Sequence, residues 1–374
     1  MSTPAGEMKA YRVVPGSKQL SLETVPIPTL GPLDVLLKVK SVGLAPGVFN
    51  MLRAGRLQSL PATLGHEIAG LVEATGSHVK NLTIGTRARI HSNVSCGACK
   101  YCTAGEDHMC PEAGIMGFQF FGNNGQTARW EEYRDGGLAE YVRAPAHLIQ
   151  LLPDNVNFHV GARVHEIATA YRTVRLANLP PAATVMVVAP TGAVGASVVK
   201  LAPLFGIKRL VLIGRSSERL KKVQSLAKVQ CDIVAFDQLP EGWKDNMGLA
   251  KVLKEMQPEG GDAIIDLLGS GIDGFQAFRA LAVGGSYVHL GGNMSSLPMA
   301  AVEWMVNCWT IKGTRNHSRA ESDLILKLLR EGVIGMDELV THRWGFNEVE
   351  EAVQRVQDRS LGSWFAVVVV DSQT

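Results

Sequence analysis

The sequence has no surplus of charge of either sign. Its 37 Lys and Arg stand against 35 Asp and Glu, a formal net charge of +2 over 374 residues. The signs are interspersed, so the electrostatic footprint of a nucleic-acid binder is missing. No apolar run is long enough to span a bilayer. The opening stretch, MSTPAGEMKAYRVVPGSKQL, lacks the basic-then-apolar pattern of a secretory signal. A cytoplasmic protein with no membrane or nucleic-acid partner is expected. There is no internal repeat and no low-complexity tract. Cysteine is scarce: six residues in a chain this long do not make a disulfide scaffold.

What is present points to a two-domain protein. The length suggests two domains at about 100–200 residues each. An apolar fraction of 46% is ample for a sizeable core. The first part reads as β-rich: DVLLKVKSVGL, AGLVEATG and TRARIHSNV are short runs broken by Gly, Asn and Ser. Loops dominate from about residue 92 to 136, and GGLAEYVRAP resumes a strand. Near residue 160 the rhythm changes to alternating helices and strands. HEIATAYRTVRLA, TGAVGASVVKLAPLFG and SSERLKKVQSLA read as helices. ATVMVVAP, RLVLIGR, GDAIIDLLG and GSYVHLGG read as compact strands. That alternation predicts an α/β unit with a parallel sheet wound on both faces. The tail, ELVTHRWGFNEVEEAVQRVQ then GSWFAVVVV, reads as a helix followed by a strand that could return to the first domain.

The turn VMVVAPTGAVG lies between a buried strand and a helix. A strict G-x-G-x-x-G would need glycine at position 190, where this chain has Pro190. Gly192 lets the backbone approach a pyrophosphate, and Gly195 lets helix and strand pack closely. Thr191, Ala193 and Val194 bring amide N–H groups and the helix's partial positive charge to the same place. The next strand ends in Gly214, Arg215, Ser216 and Ser217, with Arg219 beyond. An NAD site usually holds a carboxylate there. Its loss removes repulsion against a 2′-phosphate, and an arginine can pair with that phosphate. NADPH is the expected cofactor. Gly269 and Gly291, which follow the next two strands, complete the expected cofactor-binding set.

SCGACKYCTAGEDHMC carries Cys96, Cys99, Cys102 and Cys110. A loop this short can fold four thiolates around one tetrahedral Zn²⁺, and four protein ligands make such a metal structural. An iron–sulfur cluster ranks below zinc, since no redox partner is hinted. Cys231 and Cys308 stand alone and are expected to be buried or inert.

LGHEIAG sets His66 beside Glu67 between glycines. GHEIAGLVEATGSHV, the four-cysteine loop, DGGLAEYV and AATVMVVAPTGAVG follow one another in an order that resembles the medium-chain dehydrogenase/reductase superfamily, zinc-type alcohol dehydrogenase-like. The resemblance runs from about Met8 to the end. It implies a GroES-like catalytic domain over 1–166 and 313–374, with a structural zinc lobe at about 92–112. It also implies a Rossmann NADP-binding domain over 167–312, an active site in the cleft between the two, and a homodimer or homotetramer.

The resemblance further implies a catalytic zinc, and here the sequence departs from the family. The early cysteine position matches Ala45, which has no donor atom. The proton-relay positions match Gly47 and Asn50. The later ligand position falls at His165, beside Glu166. Three readings stand. In the leading one no catalytic zinc binds, and NADPH reduces a conjugated C=C of a small organic substrate, with His66, His165 and Tyr171 as candidate proton donors. In the second, His66, Glu67 and His165 hold zinc for an alcohol dehydrogenase or ketone reductase. In the third, the fold binds NADPH without redox work, or runs a cyclisation or elimination. His91 and His108 are expected to be structural, one on a strand and the other inside the cysteine loop. The segment GIMGFQFFGNNGQTARWEEYRD is longer than expected in the family and carries Phe118, Phe120, Phe121, Trp130 and Tyr133. It is expected to line a pocket for a sizeable or aromatic substrate, to anchor a surface loop, or to contact a second subunit.

Overall fold

A computed structural model describes residues 6–121, 127–358 and 361–370. The chain divides into two compact units, Met1–His165 with His317–Thr374, and Glu166–Asn316. The division falls within one long helix, Phe158–Leu176. Among the described residues, no helix is long and apolar enough to cross a membrane.

The first unit is built on the strand Asp34–Gly43, whose apolar run is buried along nearly its whole length. It pairs antiparallel with Glu67–Thr75, Tyr141–Pro145 and Phe365–Val369. Arg87–Ile90, Ile149–Leu151 and Val340–Gly345 extend that sheet. Burial on both faces explains why these strands are rich in Val, Ile and Leu rather than strictly alternating. Each enclosed Val or Leu contributes about 1.5–3 kcal/mol. The tail does return here: FAVVV at Phe365–Val369 lies between Asp34–Gly43 and Val340–Gly345.

Two local expectations change. The segment before that last strand is not one helix. VTHRWG forms the strand Val340–Gly345, and the helix is Val349–Gln357. The β-branched and aromatic residues of VTHRWG favour a pleated surface, and Gly345 ends it. TRARIHSNV is likewise two strands, Arg87–Ile90 and Asn93–Val94, so His91 sits in the break between them rather than on a strand.

The second unit holds a six-stranded parallel sheet, ordered Gln230–Ala235, Arg209–Gly214, Thr184–Val188, Gly261–Asp266, Leu281–His289, Thr310–Gly313. The chain moves outward in one direction from Thr184–Val188, then returns and moves outward in the other. This is the doubly wound order, with its switch point beside the first strand. Every residue of TVMVV is buried, as a central parallel strand requires. The β-rich first unit and the doubly wound parallel sheet of the second together make this an α/β protein.

Candidate active site

Glu67 opens the strand Glu67–Thr75 and is fully enclosed. Its Oε2 lies 2.7 Å from Nη1 of Arg163, which is also fully enclosed. Arg163 comes from the helix Phe158–Leu176, and its guanidinium lies over the Phe365 ring, 5.0 Å from the centroid. Gly43 faces the pair. A Cβ there would overlap both Glu67 Oε2 and the Arg163 side chain, so the strand must carry glycine at this point.

His66 precedes Glu67 and is 5% exposed. Its Nε2 lies 3.6 Å from Glu67 Oε1, beyond a good hydrogen bond. Burial, then the charges of Arg163 and Arg89, push its pKa down to about 3. The ring is therefore neutral at pH 7. Phe118 stacks against it at 5.7 Å between centroids.

His66 ends a row of imidazoles. His165 meets it edge to face at 4.7 Å, His317 meets His165 at 4.7 Å, and His91 meets His317 at 5.3 Å. Burial, then His66 and His317, hold the His165 pKa well below the usual range. Ser92 Oγ lies 3.2 Å from His165 Nδ1. At the far end, His91 Nε2 lies 2.7 Å from Asp107 Oδ2. All of these residues belong to the first unit.

These side chains do not fit a catalytic zinc as they stand. Ala45 offers no donor and merely caps the helix Pro46–Arg53, which carries Gly47 and Asn50. Glu67 is engaged by Arg163. Among the described residues, the one group of three or more His, Cys, Asp or Glu side chains that converges as metal ligands would is elsewhere. It is Cys96, Cys99, Cys102 and Cys110, with all ligand atoms within 4.8 Å of one another. That quartet fits Zn²⁺. The Cys99 amide points to Cys96 Sγ at 3.3 Å, and the Glu112 amide points to Cys110 Sγ at 3.3 Å. Amide donors favour the thiolate form that a metal needs. His108 is buried beside this loop, 3.6 Å from Glu106. Of the two remaining cysteines, Cys231 is half-buried and Cys308 is exposed.

The glycine turn in the second unit is open where a ligand would lie. A Cβ on Gly192 would meet nothing within 4 Å, whereas one on Gly195 would strike the Pro190 carbonyl. Gly192 caps the helix Ala193–Leu201 with no side chain covering the amides. Ala189 takes φ +58°, a left-handed conformation that costs a non-glycine residue roughly 1–2 kcal/mol. Its N–H is tied to the Ile213 carbonyl at 2.8 Å. Beyond Gly214, Arg215 is exposed, and Ser216 caps the helix Ser217–Gln224 through the Arg219 amide. Gly269 and Gly291 lie together: a Cβ on Gly269 would stand 3.4 Å from the Gly291 carbonyl oxygen. Tyr171 tilts against Phe205 at 5.2 Å in this unit.

The alcohol dehydrogenase GroES-like domain family matches residues 31–154. The L-idonate 5-dehydrogenase of Vitis vinifera is 29% identical over 350 residues, covering 91% of this chain and 89% of that protein. A structure from Sinorhizobium meliloti 1021, solved bound to NADP, superposes with a TM-score of 0.80 at 23% identity, covering 97% of this chain and 99% of that one. An alcohol dehydrogenase from Escherichia coli CFT073, complexed with NADH, gives 0.84 at 21%, covering 97% and 99%. The chain thus carries an alcohol dehydrogenase GroES-like domain and shares the fold of zinc-type alcohol dehydrogenases, which it resembles over nearly its whole length. It is an oxidoreductase. The structural likenesses include both nicotinamide cofactors, so this superfamily fold does not choose between them.

Five residues around the candidate sites carry no sequence signal for the places they take. Arg163 stands two positions before His165, where its pairing with Glu67 has no local signal. His317 precedes the capping box Ser318–Glu321, which marks the start of the helix Arg319–Arg330 but says nothing about the ring. His91 reads only as a strand residue, and nothing in the sequence singles out Asp107. In the second unit, Asp237 takes the N–H of Ser217 at 3.0 Å and its hydroxyl at 3.2 Å. The aromatic insert proves largely an anchor. Trp130 is buried and donates to the Ile115 carbonyl at 3.3 Å, Phe120 packs on it, and Tyr133 donates to Asp34 at 2.7 Å. Phe118 reaches His66, and Phe121 packs on Phe118. Residues 122–126 of the insert lie outside the described residues.

Proposed function

We propose that this protein is an NADPH-dependent oxidoreductase that reduces a conjugated C=C of a small organic substrate without a catalytic zinc. The observation that carries the reading is the enclosed Glu67–Arg163 pair. It engages Glu67, the carboxylate that a zinc held by His66, Glu67 and His165 would need. Hydride addition to a conjugated C=C builds negative charge on the neighbouring carbonyl oxygen, and fixed donors or cations can meet that charge without a Lewis acid. Arg163 and Arg89 are the cations felt at His66. A neutral His66 or His165 can donate a hydrogen bond through its N–H while remaining uncharged. Phe118 against His66 suits a flat, apolar substrate.

For the cofactor, the uncovered amides at Gly192 would hold the pyrophosphate. Bound there, NADPH would supply the hydride. Arg215 would meet the 2′-phosphate, with Gly214 leaving no acid in the usual place. Asp237 is the nearby carboxylate, and its charge is already met by Ser217. Zn²⁺ at the four cysteines would brace the loop that carries Asp107.

The deciding test is zinc content per chain, with NADPH oxidation followed on enones and on ketones. About one zinc, with turnover of enones and none of ketones, supports the reading. Two zincs with ketone or alcohol turnover would overturn it.

A further inference from the structure

The row of imidazoles does not end at a blank wall. It ends on Asp107, which lies between Cys102 and Cys110 on the cysteine loop. Asp107 uses both oxygens. Oδ2 faces His91 Nε2 at 2.7 Å, and Oδ1 accepts the Arg319 amide at 2.8 Å at the start of the helix Arg319–Arg330. With the Arg319 amide on Oδ1 and His91 Nε2 2.7 Å from Oδ2, the carboxylate meets a donor at each oxygen, and His91 presents its Nε2–H to it. The hydroxyl of Ser322, at 3.5 Å from His91 Nδ1, donates instead to the Arg319 carbonyl at 2.9 Å. Asn93 Nδ2, 3.4 Å from Asp107 Oδ2, donates to the backbone carbonyl of His317 at 3.0 Å and so anchors the chain that carries that ring.

We propose that Asp107 is a positioning residue for the active site, acting through His91 and His317 to set the ring orientations of His165 and His66. Its role rests on reading His66 and His165 as the reactive end of the site. The family positions for proton relay are occupied here by Gly47 and Asn50, and the row lies on other elements. A ring held edge to face by one neighbour fixes which edge it shows to the next. The ring orientation held at His91 is therefore passed on through packing contacts of 5.3, 4.7 and 4.7 Å between centroids. The cysteine loop thereby acts on the site as well as bracing the fold.

The test is the imidazole nitrogen spectrum of protein labelled with ¹⁵N-histidine, recorded on wild type and Asp107→Asn. The substitution keeps the shape and removes the obligatory acceptor. The expected result is a shift of the His91, His317 and His165 signals, with His78 and His342 unmoved. On the enone reaction, kcat should fall roughly 10-fold at unchanged KM for NADPH. Movement confined to His91 would overturn the proposal. Asp107 also accepts the Arg319 amide, so His91→Gln serves where Asp107→Asn fails to fold. It leaves that cap in place, and unmoved His317 and His165 signals there would equally defeat the proposal. The spectrum needs no turnover. Failure to reduce enones would sink the functional reading while leaving this result to stand or fall separately.

Discussion

Glu67 and Arg163 meet at 2.7 Å with neither side chain exposed to solvent. Such a pair stabilises little relative to an apolar pair of similar volume, but breaking it strands a charge in the interior. Arg163→Met should therefore cost about 3–5 kcal/mol. Urea unfolding with a constant m-value would measure it. A Glu67→Gln, Arg163→Met double variant should recover a large part of the loss. If the single variant unfolds at the wild-type urea concentration, the pair is solvated and Glu67 is free for other work.

The four cysteines make a second prediction. Cys110→Ser should lower zinc from about one per chain to well below it, because a structural site needs all four ligands. The melting temperature should fall with it. Elemental mass spectrometry and a thermal scan on the same sample would check both. Unchanged zinc would place the metal elsewhere.

The parts of the molecule legible in the sequence are those where function and local backbone coincide. The cofactor turn is one: Gly195 is readable because a Cβ would strike the Pro190 carbonyl five residues away. The cysteine quartet is another, since its spacing alone permits convergence. The imidazole row is different. His66, His91, His165 and His317 come from a turn, a break between strands, a helix and the residue before a helix cap. No period or spacing joins them. VTHRWG misleads for a related reason, because the helical pattern of EVEEAVQRVQ extends backward over a strand until Gly345 is given its weight as a break.

Cofactor choice turns on Arg215. Its side chain is exposed, and no acid occupies the end of its strand. Arg215→Ala should weaken NADPH binding about 10-fold, equal to about 1.4 kcal/mol, and leave NADH nearly untouched. Thermal protection by each cofactor would show it, since the ligand that binds more tightly raises the melting temperature more. Equal loss for both cofactors would move the 2′-phosphate away from Arg215.

Acid should unfold the first unit through its histidines. His66 has a folded pKa pushed down to about 3, and His165 is likewise held low, against about 6.5 in an unfolded chain. Below pH 6.5 the unfolded state takes up a proton at each ring that the folded state refuses. Stability is thus complete above pH 6.5 and declines as pH falls toward the folded values, by about 1 kcal/mol per pH unit for each ring. Asp107, with its pKa down at about 2, adds a loss in the same direction only below about pH 4. The two contributions separate by pH window. Urea midpoints at pH 7, 6 and 5 would isolate the histidines, and His165→Asn should reduce the slope between pH 6 and 5 by about 1 kcal/mol per pH unit. A flat profile across that interval would mean that these rings accept protons in the folded state. They would then be charged acids at mildly acidic pH rather than neutral donors.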